Sequence, residues 1–551
     1  MVPTSRRAAV ILTLILLLGA GRATGQDSVG GRIRTMIAQA RHPWARRPDF
    51  PRYVDVLARL YGSRGDAPVW LDGGGLSPAG RAAVAELVAS AEQGLVPADY
   101  DAATLEGLAR GLPHRSWNAV ALARFDLLLS LDLIRYLDDL RGGRVRPGPF
   151  GQGRAPPDLD LARCLARAIA ADSVRELAAS LEPALAQYRN LRLHLVRYQR
   201  LAAAGPFVPL PAGTARPGDA FAALDGLRAR LADLGDLPPN AAAEGPDSAT
   251  RYRGAVVEAV RRFQARHDLA PDGVLGRGTL AALNVPYGLR ARQIALAMER
   301  LRALPALTGQ RFIVVNIPAF RLFAFDSVGG PGAPTLQMKI VTGKALDART
   351  PILFEELRYV EFRPYWNLPR SILVKELLPL VRRRPGYLRA HQMEVVDARQ
   401  AVVGDVVTPA ILGGLTRGEL RVRQRPGPDN ALGLAKFVFP NAANIYMHGT
   451  PDTVLFARSR RDFSHGCIRL ESPADLAEWV LGDQPAWNRE AIESAMTTPR
   501  TTRALLSRPM PVVVFYTTAV AFPDGSVHFY PDVYRHDREL IEALRAIGEP
   551  G

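Results

Sequence analysis

The sequence predicts an α+β multidomain chain: a helical scaffold, a small helical module and a mainly-β domain interrupted by an insertion. Three observations carry this. The 551 residues make three or four units at roughly 150 residues each. Apolar residues recur at helical spacing between positions 51 and 200. From position 312 onward, short runs rich in Val, Ile and Phe alternate with turn signals, which is the pattern of strands.

With 48% hydrophobic and 23% charged residues, the composition is that of a globular protein. The formal net charge is +16. Arg382 to Arg384 and Arg458, Arg460 and Arg461 form local basic runs. Such runs are either solvated surface or an attraction for an acidic polymer. Nucleic acid is the weaker partner, because no nucleic-acid motif accompanies the charge. Arg6 and Arg7 precede an apolar run over 8–18, and small residues follow to Ala23-Thr24-Gly25. This is a signal-peptide pattern over 1–25, so an exported chain is expected. The run is short for a membrane span, although an uncleaved anchor is the alternative. An exported chain with two cysteines, Cys164 and Cys467, can form one disulfide. Cys164 sits in an alanine-rich helical pattern and reads instead as a small apolar residue.

In chain order, a helical scaffold is expected over 44–204. Tyr53, Val56, Leu57 and Leu60 recur at helical spacing. Ser77 and Pro78 open a helix over 78–92 as cap and first-turn proline. An amphipathic helix over 125–140 stops at Gly142-Gly143. Helical patterns continue over 161–171 and 174–198. Pro-Gly, Pro-Pro and Gly-Pro steps mark 205–249 as a linker around one helix, 219–234. A module over 250–286 holds a helix with Val256, Val257, Val260, Phe263 and Gln264, a turn at Pro271-Asp272-Gly273, and a second helix through Thr279, Leu280, Leu283 and Asn284. On these residues the stretch resembles the three-helix peptidoglycan-binding module. The resemblance implies association with the cell wall, and peptidoglycan is the acidic polymer that a basic chain would meet there. A connecting helix is expected over 288–305.

The β domain is expected over 311–535. Strands are read at 312–317, 320–325, 336–340, 357–362, 436–439 and 444–447, forming an antiparallel sheet that closes on itself. Pro364 to Pro369 interrupts it, and a lid-like cap insertion is expected over about 366–415, with Ser371 capping a helix. Ser472-Pro473 opens a helix through Leu481, with Asp475 at its positive end. Further helices are read over 489–496 and 537–547. A terminal hairpin is read from 511–517 and 526–530 around Pro523-Asp524-Gly525.

The chemistry concentrates at Ser464-His465-Gly466-Cys467-Ile468-Arg469 and at His448-Gly449. A thiol needs a base to react at neutral pH, and imidazole is the usual one. Glycine permits close backbone approach and lends its N–H to an oxyanion. Cys467 therefore reads as a nucleophile. An inert thiol is the bland reading. A zinc site from His448, His465 and Cys467 has suitable ligand types but lacks the usual spacing, and no metal is inferred. Arg469 reads first as a local ion-pair partner, and Ser464 as a backbone hydrogen bonder.

Ile445-Tyr446-Met447-His448-Gly449-Thr450 followed by Ser464 to Arg469 resembles the signature of the L,D-transpeptidase catalytic domain. Val315 to Pro318, Pro364-Tyr365-Trp366-Asn367, Arg423 to Gly427, Asn430 to Gly433, Lys436-Phe437 and Phe439-Pro440-Asn441 resemble the large, multidomain members with a cap insertion. Those members usually carry aspartate where this chain has Gly449, but only a backbone carbonyl is implied there. The resemblance implies a cysteine acyltransferase of the penicillin-insensitive type, with no cofactor. Cys467 is the implied nucleophile and His448 the proton carrier. The Gly449 carbonyl would orient His448, and the N–H groups of His465, Gly466 and Cys467 would form the oxyanion hole. Tyr365, Trp366, Asn367, Tyr446, Ser464 and Arg469 are the expected substrate contacts. The implied reaction forms 3→3 cross-links between stem peptides through a thioester, in the periplasm or cell wall. The same acyl-enzyme could be resolved by water or by a protein lysine, and a non-catalytic wall-binding scaffold is the reading from another class.

Overall fold

A computed structural model describes residues 28–72, 75–112, 117–145, 159–238, 251–304, 307, 311–327 and 333–548. The expected export segment 1–25 lies outside the described residues. Among those described, no helix is long and apolar enough to cross a membrane.

The scaffold is helical, as its periodicity requires. Its axis is the helix Ala119–Gly142, buried on nearly every side from Phe125 to Leu140. Asn118 caps its start by accepting from the Ala121 N–H, and Gly143, at φ +75°, ends it. Ser77 caps Pro78–Val88 through the Gly80 N–H, as expected. The stretch 174–198 is two helices, Val174–Leu181 and Ala186–Ala203, rather than one. Pro183 forces the residue before it, Glu182, into extended backbone at ψ 146°. Both Cys164 and Cys467 are free.

Asp126 lies in the middle of the long helix with no exposed surface. It accepts from the Tyr61 hydroxyl at 2.7 Å and from the Val69 and Trp70 N–H groups at 3.0 and 2.9 Å. Burial pushes its carboxyl up to about 6, although these donors pull the other way.

The expected linker is corrected in part. Helix Leu224–Leu234 puts Leu224, Leu227 and Leu231 into one core with Leu210, Tyr252, Val257 and Phe263. Leucines at this spacing face one way and bury together, while the Pro-Gly steps only bend the chain. Ala215 pairs with Leu275, and Arg230 donates to the Leu283 carbonyl at 2.6 Å. The module is therefore three-helical: Leu224–Leu234, Ala255–Arg266 and Arg277–Leu283. Gln264 ties its turn by donating to Asp272 Oδ1 at 2.9 Å and accepting from the Gly273 N–H at 2.8 Å.

Helix Tyr287–Arg302 joins the parts. Buried Arg302 donates to Tyr188 Oη and to the Gln93 carbonyl of the scaffold. Arg300 pairs with Asp537 at 2.6 Å, in the last helix, His536–Gly548. Arg266 of the module pairs with Asp236 and donates to the Val527 carbonyl at 2.9 Å.

The β domain holds β1 (Phe312–Asn316), β2 (Arg321–Phe325), β3 (Leu336–Gly343), β4 (Leu353–Phe362), β5 (Trp366–Asn367), β6 (Met393–Val396), β7 (Val402–Gly404), β8 (Arg421–Gln424), β9 (Ala435–Val438), β10 (Met447–His448), β11 (Asp462–Ser464), β12 (Ile468–Leu470), β13 (Thr502–Phe515), β14 (Ala519–Ala521) and β15 (Val527–Phe529). The main sheet runs β11-β3-β12-β10-β9-β4-β13-β1-β2. β2 also pairs with β3, so the sheet closes on itself as expected. It is mixed rather than antiparallel, since β10–β12, β13–β1 and β11–β3 run parallel. The terminal hairpin also differs: β13 is drawn into the main sheet, and β14 pairs with β15 instead.

The cap is a sheet of its own, β5-β8-β6-β7, and extends past 415 to Gln424. Ser371 does not cap its helix, which starts at Arg370 after Pro369. A π-turn, Leu373–Leu377, precedes Pro379, a residue with no N–H to offer the turn before it. At Ser472 the side chain likewise makes no capping bond, but Pro473 and Asp475 sit in the first turn as expected.

Replacing Asp126 by leucine would leave the buried Val69 and Trp70 N–H groups unpaired, while the Tyr61 hydroxyl keeps Ser130 at 2.7 Å. The expected loss is roughly 3–5 kcal/mol, read as a lower urea midpoint of the full chain. An unchanged midpoint would show that Asp126 does not hold the scaffold together.

Candidate active site

Strand alternation builds the site. Ile468, Met447, Phe437, Val360 and Ala504 stand side by side across β12, β10, β9, β4 and β13. All are buried in the domain core. The next residue on each strand faces the other way. Arg469, His448, Lys436, Glu361 and Arg503 thus form a second row, in register, on the opposite face. Tyr446 and Cys467 lie one residue before Met447 and Ile468 and share the face of this polar row, with the Ile468 N–H donating to the Tyr446 carbonyl at 3.1 Å. The two far-separated motifs therefore meet through one parallel strand pair.

His448 is buried. Its Nδ1 meets the Gly449 carbonyl at 2.5 Å. A carbonyl can only accept, so Nδ1 carries the proton and Nε2 is left as the basic nitrogen. Burial pushes this imidazole down to about 3, against the pull of the Gly449 carbonyl. Burial also raises the Cys467 thiol, although the Tyr446 main chain and hydroxyl pull it down. The thiol sulfur also makes a long contact, 3.9 Å, to the Asn444 carbonyl. At neutral pH the pair is a neutral thiol beside a neutral imidazole.

Two glycines are required by geometry. Gly466, at φ +113°, turns the chain just before Cys467. Gly433, at φ +62°, lies so close to Gly449 that an added Cβ would stand 2.6 Å from the Gly449 carbonyl carbon. The loop around Gly466 is pinned by Thr350, whose hydroxyl donates to the Gly466 carbonyl at 2.7 Å. The Thr350 N–H in turn donates to the Tyr534 hydroxyl, and Tyr534 donates to the Gly343 carbonyl at 2.5 Å.

The expected site residues separate into groups. Ser464 is buried; its hydroxyl donates to the Cys467 carbonyl at 2.5 Å and accepts from the Gly466 N–H at 3.1 Å. Ser464 is therefore an internal brace rather than a substrate contact, and the Gly466 N–H is engaged. The N–H groups of His465 and Cys467 donate to no group among the described residues. The His465 ring turns outward and meets Glu376 of the cap at 2.6 Å. Arg469 pairs with Asp452 at 3.4 Å. Tyr446 lines the site, its ring centroid 5.7 Å from that of His448. Tyr365, Trp366 and Asn367 belong to the cap instead. Trp366 packs against the cap core, and Arg423 lies 4.5 Å over the Tyr365 ring. The sequence reading missed Lys436, Glu361, Arg503, Thr350 and Tyr534 as parts of this site. Only the Lys436-Phe437 pair carried any signal.

A neutral pair has a distinct pH signature. Alkylation of Cys467 by iodoacetamide, followed by peptide mass spectrometry, should rise continuously with pH past about 8.5, the ordinary thiol value. A rate already at plateau between pH 5 and 7 would mean a standing thiolate–imidazolium pair.

Three family models match the chain. Residues 55–195 match a scaffold domain, 225–283 a "Putative peptidoglycan binding domain", and 310–514 the L,D-transpeptidase catalytic domain. A curated "Putative L,D-transpeptidase" of Haemophilus influenzae is 31% identical over 252 residues, covering 45% of this chain and 49% of the relative. The chain thus spans about half the length of the curated relative it matches. A solved L,D-transpeptidase fragment of Xylanimonas cellulosilytica is 15% identical over 56% of this chain and all of its own length, at a TM-score of 0.17, too low to bear on the fold. Behind a scaffold domain and a peptidoglycan-binding domain, the chain carries an L,D-transpeptidase catalytic domain, and Cys467 and His448 lie within it.

Proposed function

We propose that the chain forms 3→3 cross-links in peptidoglycan by acyl transfer through Cys467. The observation that carries this reading is the shared face of β10 and β12, where Cys467, one residue ahead of β12, meets a His448 on β10 held by the Gly449 carbonyl. The peptidoglycan-binding domain beside it supports stem peptides as substrate. It also supports a seat at the cell wall for an exported protein.

The thiol proton passes to His448 Nε2 as the sulfur attacks the carbonyl of the third stem residue, a diamino acid. The tetrahedral oxyanion faces the N–H groups of His465 and Cys467, each worth roughly 3 kcal/mol of barrier. The bond to the terminal D-alanine breaks, its amine takes the proton from His448, and a thioester remains. The side-chain amine of a second stem then gives a proton to His448 and attacks the thioester. The amide forms, and the proton returns to the departing sulfur. His448 takes up and gives back one proton in each half of the cycle, so it ends the turnover as it began.

Cys467→Ala should show no transfer from a tetrapeptide donor and no added mass with a carbapenem, while the unaltered chain gains the mass of one thioester adduct. Cross-linking retained in Cys467→Ala would overturn the reading. Wild-type product containing only hydrolysed tripeptide would assign water as the acceptor instead. Gly433→Ala, which pushes on the Gly449 carbonyl, should slow adduct formation by up to a hundredfold. An unchanged rate would show that this carbonyl does not position His448.

A further inference from the structure

The polar row holds three cations, and two are matched. Arg469 has Asp452 at 3.4 Å, and Arg503 has Glu361 Oε2 at 2.7 Å. Lys436 stands between them, next to His448 on one side and Glu361 on the other. Among the described residues its ammonium makes no hydrogen bond or ion pair. It lies over the Tyr446 ring, 4.0 Å from the centroid. That ring also borders His448 and reaches Cys467. The ammonium is half-buried, and burial lowers its proton affinity.

A bland role would be to neutralise Glu361. Arg503 already takes that carboxylate, so a second cation leaves the row with surplus positive charge. A partly desolvated ammonium gains more from an anion than a solvated one. An aromatic face steadies it without satisfying its donors. The position is one residue's width from the base and opens onto the face that carries the sulfur.

We propose that Lys436 binds a carboxylate of the donor peptide. The candidates are the terminal carboxylate and the side-chain carboxylate of the diamino acid. This rests on the transfer reading above and adds a recognition residue to it. The ammonium draws the donor onto the polar row and holds the scissile carbonyl near Cys467, so the contact acts in donor binding rather than in proton transfer.

The test uses the full chain and three donors: the free tetrapeptide, one amidated at its terminus, and one amidated on the third residue's side chain. The wild-type chain should lose roughly ten- to hundredfold in acylation kcat/KM on one of the amidations. Lys436→Met should lose a similar factor with the free donor, chiefly through KM, and be indifferent to that same amidation. Lys436→Arg should recover part of the loss. A Lys436→Met chain as sensitive to both amidations as the wild type, or as fast, would overturn the assignment. Donor acylation in the wild type without discrimination would overturn the lysine role alone. No acylation of the wild type by any donor would overturn the transfer reading and this proposal together.

Discussion

The register of five strands governs this molecule. Where β12, β10, β9, β4 and β13 lie side by side, one row of residues is apolar and the next is ionic. Strand side chains alternate strictly, so a slip of one position would drive Arg469, His448 and Lys436 into the core and expose Met447 and Phe437. Burial of the apolar row is thus the force that assembles the polar one. Cys467 and His448 need no dedicated scaffold beyond the core beneath them. Local braces then refine it: Gly433 against Gly449, Ser464 around the Gly466-Cys467 turn, and Thr350 with Tyr534.

Electrostatics follow from the same placement. His448 is buried on the face opposite the apolar core and keeps one nitrogen on a backbone carbonyl. It resists protonation, because burial disfavours the charged ring. Cations on either side reinforce this by opposing a charged ring.

Much of this was legible in the sequence. The His448 and Cys467 motifs announce themselves by composition and spacing, and the long scaffold helix by its apolar period. The polar row was not legible. Its members run from Glu361 to Arg503 and become neighbours only through pairing of strands distant in sequence. The parallel β10–β12 pairing was hidden because β10 is two residues long. Residues 205–249 looked like linker because proline and glycine mark bends whether or not the chain between them packs. Leu224, Leu227 and Leu231 were the overlooked sign that it does. Ser371 failed as a cap because Pro369 had already set the helix start.

Helix Tyr287–Arg302 has a mechanical meaning. Its arginines bury charge against both the scaffold and the final helix, while Arg266 and Asp236 fasten the wall-binding module to the hairpin at the domain's end. Buried charges of this kind resist separation, because pulling them apart strands an ion in a dry interior. The peptidoglycan-binding domain and the sheet that carries Cys467 are therefore mounted on one bracket. Under the transfer reading proposed above, wherever the first takes hold, the second works at a set span from it.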